Sequence, residues 1–210
     1  MILPIKMKIS RKVLAIAAIP IASVALASFI IIRITSKPES SAGRKVDELN
    51  GVAVYYNGSV DNVSGRNVTR DGYNLGLKYQ CVEFVKRYYY EHLDHRMPDS
   101  YGHAKDFFDE AIGDGEWNSR RALFQFTNGS RSRPSPDDLI VFGPTAFNPY
   151  GHVAIISKVS DSDIEIVQQN PGPLASSRDR FSIEQRDGRW FIRNSRALGW
   201  LRKQEAGRNQ

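Results

Sequence analysis

From residue 79 the chain reads Tyr-Gln-Cys-Val-Glu-Phe-Val-Lys-Arg-Tyr-Tyr-Tyr, and Cys81, Val85, Tyr88, Tyr89 and His92 recur at i, i+4, i+7, i+8 and i+11. That spacing predicts a helix over 79–90 with one apolar stripe, Cys81 in its first turn, and Glu83, Lys86 and Arg87 facing water. A weaker helical pattern covers 104–111 and stops at Gly113. Residues 52–56 form a short β-like run closed by the turn dipeptide Asn57-Gly58. Three more runs cover 139–142, 152–159 and 164–168, and 181–185 with 190–193 make a hairpin through Asp187-Gly188. The polar stretches 59–74 and 128–138 read as loops. A helix followed by an antiparallel sheet makes the fold class α+β.

Ahead of these elements the pattern is different. Residues 13–32 are an uncharged run of twenty, long enough to cross a hydrocarbon core of about 30 Å, and Lys6, Lys8, Arg11 and Lys12 precede it. Residues 1–34 therefore read as a membrane anchor or a signal segment. Ala25-Leu26-Ala27 before Ser28 offers a cleavage site, but cutting there leaves Phe29 to Ile32 exposed on the mature end, which favours the anchor. Basic residues ahead of the run place the N-terminus in the cytoplasm and the remainder outside it. That means a domain anchored to the inner membrane and facing the periplasm or the cell exterior, or secreted if the segment is cleaved. Residues 35–48, rich in Ser, Pro, Gly and charge, read as a flexible tether, 49–203 as the folded domain and 204–210 as a disordered tail.

Composition narrows the function classes. The chain has 210 residues, and without the N-terminal run about 170 remain, enough for one ordinary domain. The net charge is +6, from 29 basic and 23 acidic residues. Five of the basic residues (Lys6, Lys8, Arg11, Lys12, Arg33) lie at or before residue 33, so the rest of the chain carries 24 against 23, or +1. A domain so nearly neutral has no footprint for nucleic acid. One cysteine excludes an intramolecular disulfide and a zinc site built from several thiolates. Glu91, His92, Asp94, His95 and His103 read as a solvated face rather than metal ligands, so no metal and no cofactor is expected. Asn57, Asn62, Asn67 and Asn128 head glycosylation patterns that matter only in a eukaryotic secretory route. Tyr88 to Tyr90 read as core or interface packing.

Candidate chemistry starts at Cys81. A helix N-terminus carries partial positive charge and unsatisfied N–H groups, which favour thiolate. His152 follows Gly151 and opens an apolar strand, a rigid place for a general base. The next strand ends in Gln168-Gln169-Asn170, and Gln168 is placed to orient the imidazole through its other nitrogen.

These residues resemble the CHAP family, the cysteine- and histidine-dependent amidohydrolases and peptidases related to papain. Residues 79–84, Gly151 to Ile156 and the strand ending Gln168-Gln169-Asn170 carry the resemblance. Val52 to Tyr55, Phe126 to Ser130, Asp138 to Phe142 and Leu198-Gly199-Trp200 extend it over about 50–201. Within the family the likeness is to the amidase domain of the bifunctional glutathionylspermidine synthetase/amidases. The resemblance implies a papain-like fold of the NlpC/P60 type, with a helix carrying Cys81 packed on an antiparallel sheet carrying His152. It implies attack by Cys81 on an amide carbonyl, proton transfer through His152 and a thioester intermediate. The oxyanion would face the Cys81 backbone N–H with help from Gln80 or a nearby loop, and Asn170 would serve as an orienting residue. Where those amidases carry an acid beside the histidine, this chain has Gln168, which can fix a tautomer but supplies no charge.

With no synthetase half in this sequence and a membrane-directed segment ahead of the domain, a wall-peptide amide is the expected substrate in a bacterial host, ahead of glutathionylspermidine. Three readings stay open: an active thiol amidase or peptidase, a catalytically weak binding module, and a toxin or effector directed at a competitor's wall. The expected partners are an amide or peptide substrate and the membrane, with the protein a monomer.

Overall fold

Among residues 42–172 and 175–204, which the computed structural model describes, the chain is built mostly of strands. β1 (Lys45–Leu49) and β2 (Val52–Tyr55) pair antiparallel, as do β3 (Arg66–Val68) and β4 (Asn74–Leu77). The helix α1 (Cys81–Glu91) follows, and then a 3-10 turn, Ala104–Phe107. β5 (Glu116–Asn118), β6 (Leu123–Thr127), β7 (Leu139–Phe142), β8 (His152–Val159), β9 (Asp163–Val167), β10 (Arg178–Arg186), β11 (Arg189–Ile192) and β12 (Ala197–Arg202) form one sheet. Its order is β11-β10-β9-β8-β7-β12-β6-β5, with antiparallel neighbours throughout. One helix against this sheet makes the fold α+β. Residues 1–41, which hold the membrane-directed run and the first half of the tether, and 205–210 of the tail lie outside the described residues. No helix among the described residues is long and apolar enough to cross a membrane.

The central strands explain how the core divides. All four residues of β7, Leu-Ile-Val-Phe, are buried, so this strand is covered on both faces. Strand geometry sends alternate side chains to opposite faces. Leu139, Val141, Val153, Ile155 and Val167 meet Phe84, Val85, Tyr88 and Tyr89 of α1. Ile140, Phe142, Ala154, Ile156 and Ile166 instead join Ile164, Ile183, Ile192 and Trp200. Every member of that second cluster comes from the sheet itself, so the sheet curls over its own face.

Several expectations need correction. α1 begins at Cys81, with Gln80 as its N-cap. Glu83, Lys86 and Arg87 do not face water; they are 1%, 1% and 6% exposed. The Glu83 carboxylate accepts from Arg87 Nε at 2.6 Å, Arg87 Nη2 donates to the Ala53 carbonyl at 2.8 Å, and Lys86 Nζ donates to the carbonyls of Asn74 and Ser100. α1 packs against β2, β4 and β8, so charges on its flanks are buried and find partners there. The helix expected over 104–111 is only the 3-10 turn. Gln125 of β6 takes the backbone beyond it, accepting from Asp109 N–H at 2.9 Å and donating to the Asp109 carbonyl at 2.8 Å. The end of the expected tether is β1, held by its ladder to β2 and by Asp47, which pairs with Arg178 at 2.9 Å. The loop expected over 59–74 contains β3. The Asp187-Gly188 turn is left-handed at both residues, φ 52 and 72, as a two-residue hairpin turn requires. The side-chain nitrogens of Asn57, Asn62, Asn67 and Asn128 all donate within the fold.

Candidate active site

The turn from β4 into α1 is set by two unusual backbone positions. Gly76, φ 129, lies so near the helix that a Cβ there would meet the Glu83 backbone at 3.3 Å. Tyr79 holds φ 67, which costs a non-glycine residue about 1–2 kcal/mol. Its ring packs edge-on against Tyr55, with centroids 5.5 Å apart, and the next residue, Gln80, donates its N–H to the Leu77 carbonyl at 3.1 Å. Gln80 itself is extended, so Cys81 is the first helical residue.

Gly151 does equivalent work ahead of the histidine. Its φ is 74, and a Cβ would sit 2.6 Å from the Phe142 carbonyl oxygen. A glycine there lets the chain enter β8 with His152 opposite Phe142 in the ladder. His152 is buried, and its Nε2 lies 3.0 Å from Gln168 Oε1. The Gln168 amide nitrogen donates to the Ser176 carbonyl at 3.0 Å. A carbonyl oxygen only accepts, so Ser176 decides which end of the Gln168 amide faces the ring. That end is the oxygen, so Nε2 carries the proton and Nδ1 keeps its lone pair.

Cys81 and His152 line one cleft of about 640 Å³. The backbone N–H groups of Val153, Val82 and Cys81 lie near the thiol and favour its ionised form. Thiol and imidazole are not hydrogen-bonded to each other in this resting arrangement. Burial pushes the Cys81 thiol up to about 11, against the N–H groups that pull it down. Burial also pushes His152 down to about 4; the Gln168 hydrogen bond raises it and Arg196 lowers it further. Burial thus favours the thiol and the neutral imidazole over their charged forms, and works against the thiolate that the helix N-terminus favours.

Gln80 and Asn170 are joined to the wall of the cleft. Gln80 Nε2 donates to the carbonyls of Val60 at 3.3 Å and Asn62 at 3.0 Å. Its Oε1 accepts from Asn170 Nδ2 at 2.6 Å, and Asn170 Nδ2 also donates to the Val60 carbonyl at 2.9 Å. Both side chains hold the 60–62 loop, so the Gln80 amide has no hydrogen left for an oxyanion.

Residues 71–170 match the family model of the CHAP domain, a span that contains Cys81, His152 and Gln168. These residues are thus similar to the CHAP domain. Two curated relatives from Crithidia fasciculata are similar to the chain. Trypanothione synthetase is 30% identical over 132 residues, covering 61% of this chain and 20% of that protein. Glutathionylspermidine synthase is 30% identical over 100 residues, covering 47% and 14%. The chain thus spans a fifth or less of the length of these relatives. A solved structure titled "The crystal structure of Ly7917" is 24% identical over 35% of this chain and 30% of that one, with a TM-score of 0.25. The CHAP match supports hydrolase activity on amide bonds.

Sequence reasoning missed the groups that support this site. Ser176, which orients Gln168, lies in a loop with no local signal. Gln169 is a buried polar residue whose partners, Tyr55, Gln80 and Glu83, are all distant in sequence. The one legible hint is that three amides in a row, Gln168, Gln169 and Asn170, follow the strand Asp163–Val167.

Proposed function

We propose that this domain is a papain-like thiol amidase or peptidase that cleaves an amide bond through an acyl-enzyme on Cys81. The observation that carries this reading is the histidine tautomer set by Gln168 and Ser176, which leaves the Nδ1 lone pair of a buried imidazole in the cleft that Cys81 lines. Nδ1 takes the thiol proton as sulfur adds to the carbonyl carbon, then gives it to the departing amine, leaving a thioester. Water adds to the thioester with Nδ1 again as base; the acid departs and the thiol is restored. The Gln168 oxygen holds Nε2–H throughout and stabilises the transient imidazolium by its dipole alone. The Cys81 N–H faces the oxyanion, a contribution commonly worth about 3 kcal/mol per donor.

The lining of the cleft favours a substrate bearing charges of both signs around the amide. Asp61 and Arg66 both line it, and Arg66 is held by neutral groups, the Asn74 oxygen at 3.2 Å and the Tyr101 ring at 5.5 Å. Tyr101, Phe147 and Tyr150 add exposed aromatic surface. Wall-peptide amides and polyamine conjugates of γ-glutamyl or glycyl peptides both fit that description. We place the domain outside the cytoplasm, as a monomer behind the membrane-directed segment at 13–32. A second reading, a weakly catalytic binding module, is favoured by Gln168 standing where an acid would add charge.

Incubation of the chain with peptidoglycan peptides and with glutathionylspermidine, followed by intact-mass analysis, tests the first reading. Cleavage and a transient thioester adduct are expected, and both are lost in Cys81→Ala. Substrate binding that survives Cys81→Ala, with no turnover in wild type, would establish the second.

A further inference from the structure

Gln169 is fully buried, and both its amide hydrogens and its oxygen have partners. Nε2 donates to the Gln80 carbonyl at 3.0 Å and to Glu83 Oε2 at 2.8 Å, and Oε1 accepts the Tyr55 N–H at 2.7 Å. These partners belong to three segments: β2, the residue before the nucleophile, and the first turn of α1. The amide has one orientation that satisfies them, nitrogen toward carbonyl and carboxylate, oxygen toward N–H. Its neighbours in the chain reach the other parts of the site. Gln168 holds His152, and Asn170 holds the Gln80 side chain and the 60–62 loop.

The contact with Glu83 matters as well, because this carboxylate sits two residues from the nucleophile. Asn67 Nδ2 at 2.7 Å and Arg87 Nε at 2.6 Å hold one oxygen, and Gln169 holds the other. Glu83 consequently does not line the cleft.

We propose that Gln169 is a positioning residue for the Cys81–His152 pair. It fixes the first turn of α1 relative to the Gln168–His152 bond, so that the thiol meets Nδ1 at reacting distance when a substrate enters. This rests on the thiol-amidase reading above. Misplacement by about 1 Å is enough to slow such a transfer a hundredfold. A residue that only stabilised the fold would leave the coupling between Cys81 and His152 unchanged.

The chain has one cysteine, so iodoacetamide alkylation reads Cys81 alone. The rate at neutral pH is measured in the 210-residue chain for wild type, Gln169→Met, His152→Ala and the double variant. Gln169→Met and His152→Ala are each expected to slow alkylation at least fivefold, roughly, and the double variant to be no slower than His152→Ala, since without Nδ1 there is nothing left to position. Ile164→Val, in the core cluster on the other sheet face, serves as a control for lost stability and is expected to leave the rate unchanged. A wild-type rate in Gln169→Met, or a loss of equal factor with and without His152, would overturn the proposal. If His152→Ala itself reacts at the wild-type rate, the thiol-amidase reading fails first and the positioning role with it. Should Gln169→Met not unfold cooperatively, Gln169→Asn, one methylene shorter, enters the same cycle with the same deciding outcomes.

Discussion

His152 is held neutral by burial and held in one tautomer by Gln168, and both facts are open to titration. In the unfolded chain the imidazole takes a proton near its ordinary value of 6.5, whereas in the fold it does so at about 4. The unfolded state therefore binds the proton first as pH falls. The stability this group contributes is complete above about 6.5 and is lost progressively down to about 4, amounting to roughly 3 kcal/mol. Urea unfolding at pH 7.5 and 4.5 should show a smaller acid loss in His152→Asn than in wild type; equal losses would contradict the assignment. Gln168→Glu adds a charge to the Nε2 side of the ring. It should raise the His152 pKa by about 1–3 units in an NMR titration and speed Cys81 alkylation. An unchanged titration would mean that residue 168 does not control the imidazole. The places of Cys81, His152 and Gln168, at the start of α1, the start of β8 and just past the end of β9, are legible in sequence because the pattern of each element is local. Gln169 is not, because its partners Tyr55, Gln80 and Glu83 are brought to it only by folding.

At the level of elements, the helical spacing finds α1 because Val85, Tyr88 and Tyr89 do form its buried stripe. A spacing rule assumes one wet face, however, and α1 has sheet on several sides. Glu83 and Arg87 are the consequence: an acidic and a basic side chain taken out of water and hydrogen-bonded to each other and to Asn67, Gln169 and the Ala53 carbonyl. Removing one partner of such a pair strands the other. Glu83→Ala is expected to cost about 3–5 kcal/mol in denaturant unfolding. A loss below about 1 kcal/mol, the range of exposed pairs, would mean that the pair is hydrated. β7, β8 and the β10–β11 hairpin are legible for the same reason as α1, a local run of apolar residues or a turn dipeptide. β1, β3 and β5 are three to five residues long, mostly half-buried or exposed, and exist because a partner strand pairs with them. No periodicity within so short a segment announces that.

For the molecule as a whole, the antiparallel sheet separates two packed clusters, and the cleft belongs to the side where α1 lies. Cys81 packs against the α1-side cluster, while the cluster on the other face is closed by the sheet alone. The α+β class follows from the order of patterns along the chain; the curl that encloses the second cluster does not, because it is a property of eight strands together. In the proposed reaction a neutral imidazole activates a half-buried thiol. The pH dependence of Cys81 alkylation by iodoacetamide, in wild type and His152→Ala, tests it most directly. In wild type a flat, appreciable rate is expected from about pH 5 to 8, where His152 is neutral and can accept the thiol proton, with a further rise only as the thiol itself ionises toward about 11. His152→Ala should lose the flat region and keep the alkaline rise. Superimposable profiles would show that His152 does nothing for Cys81.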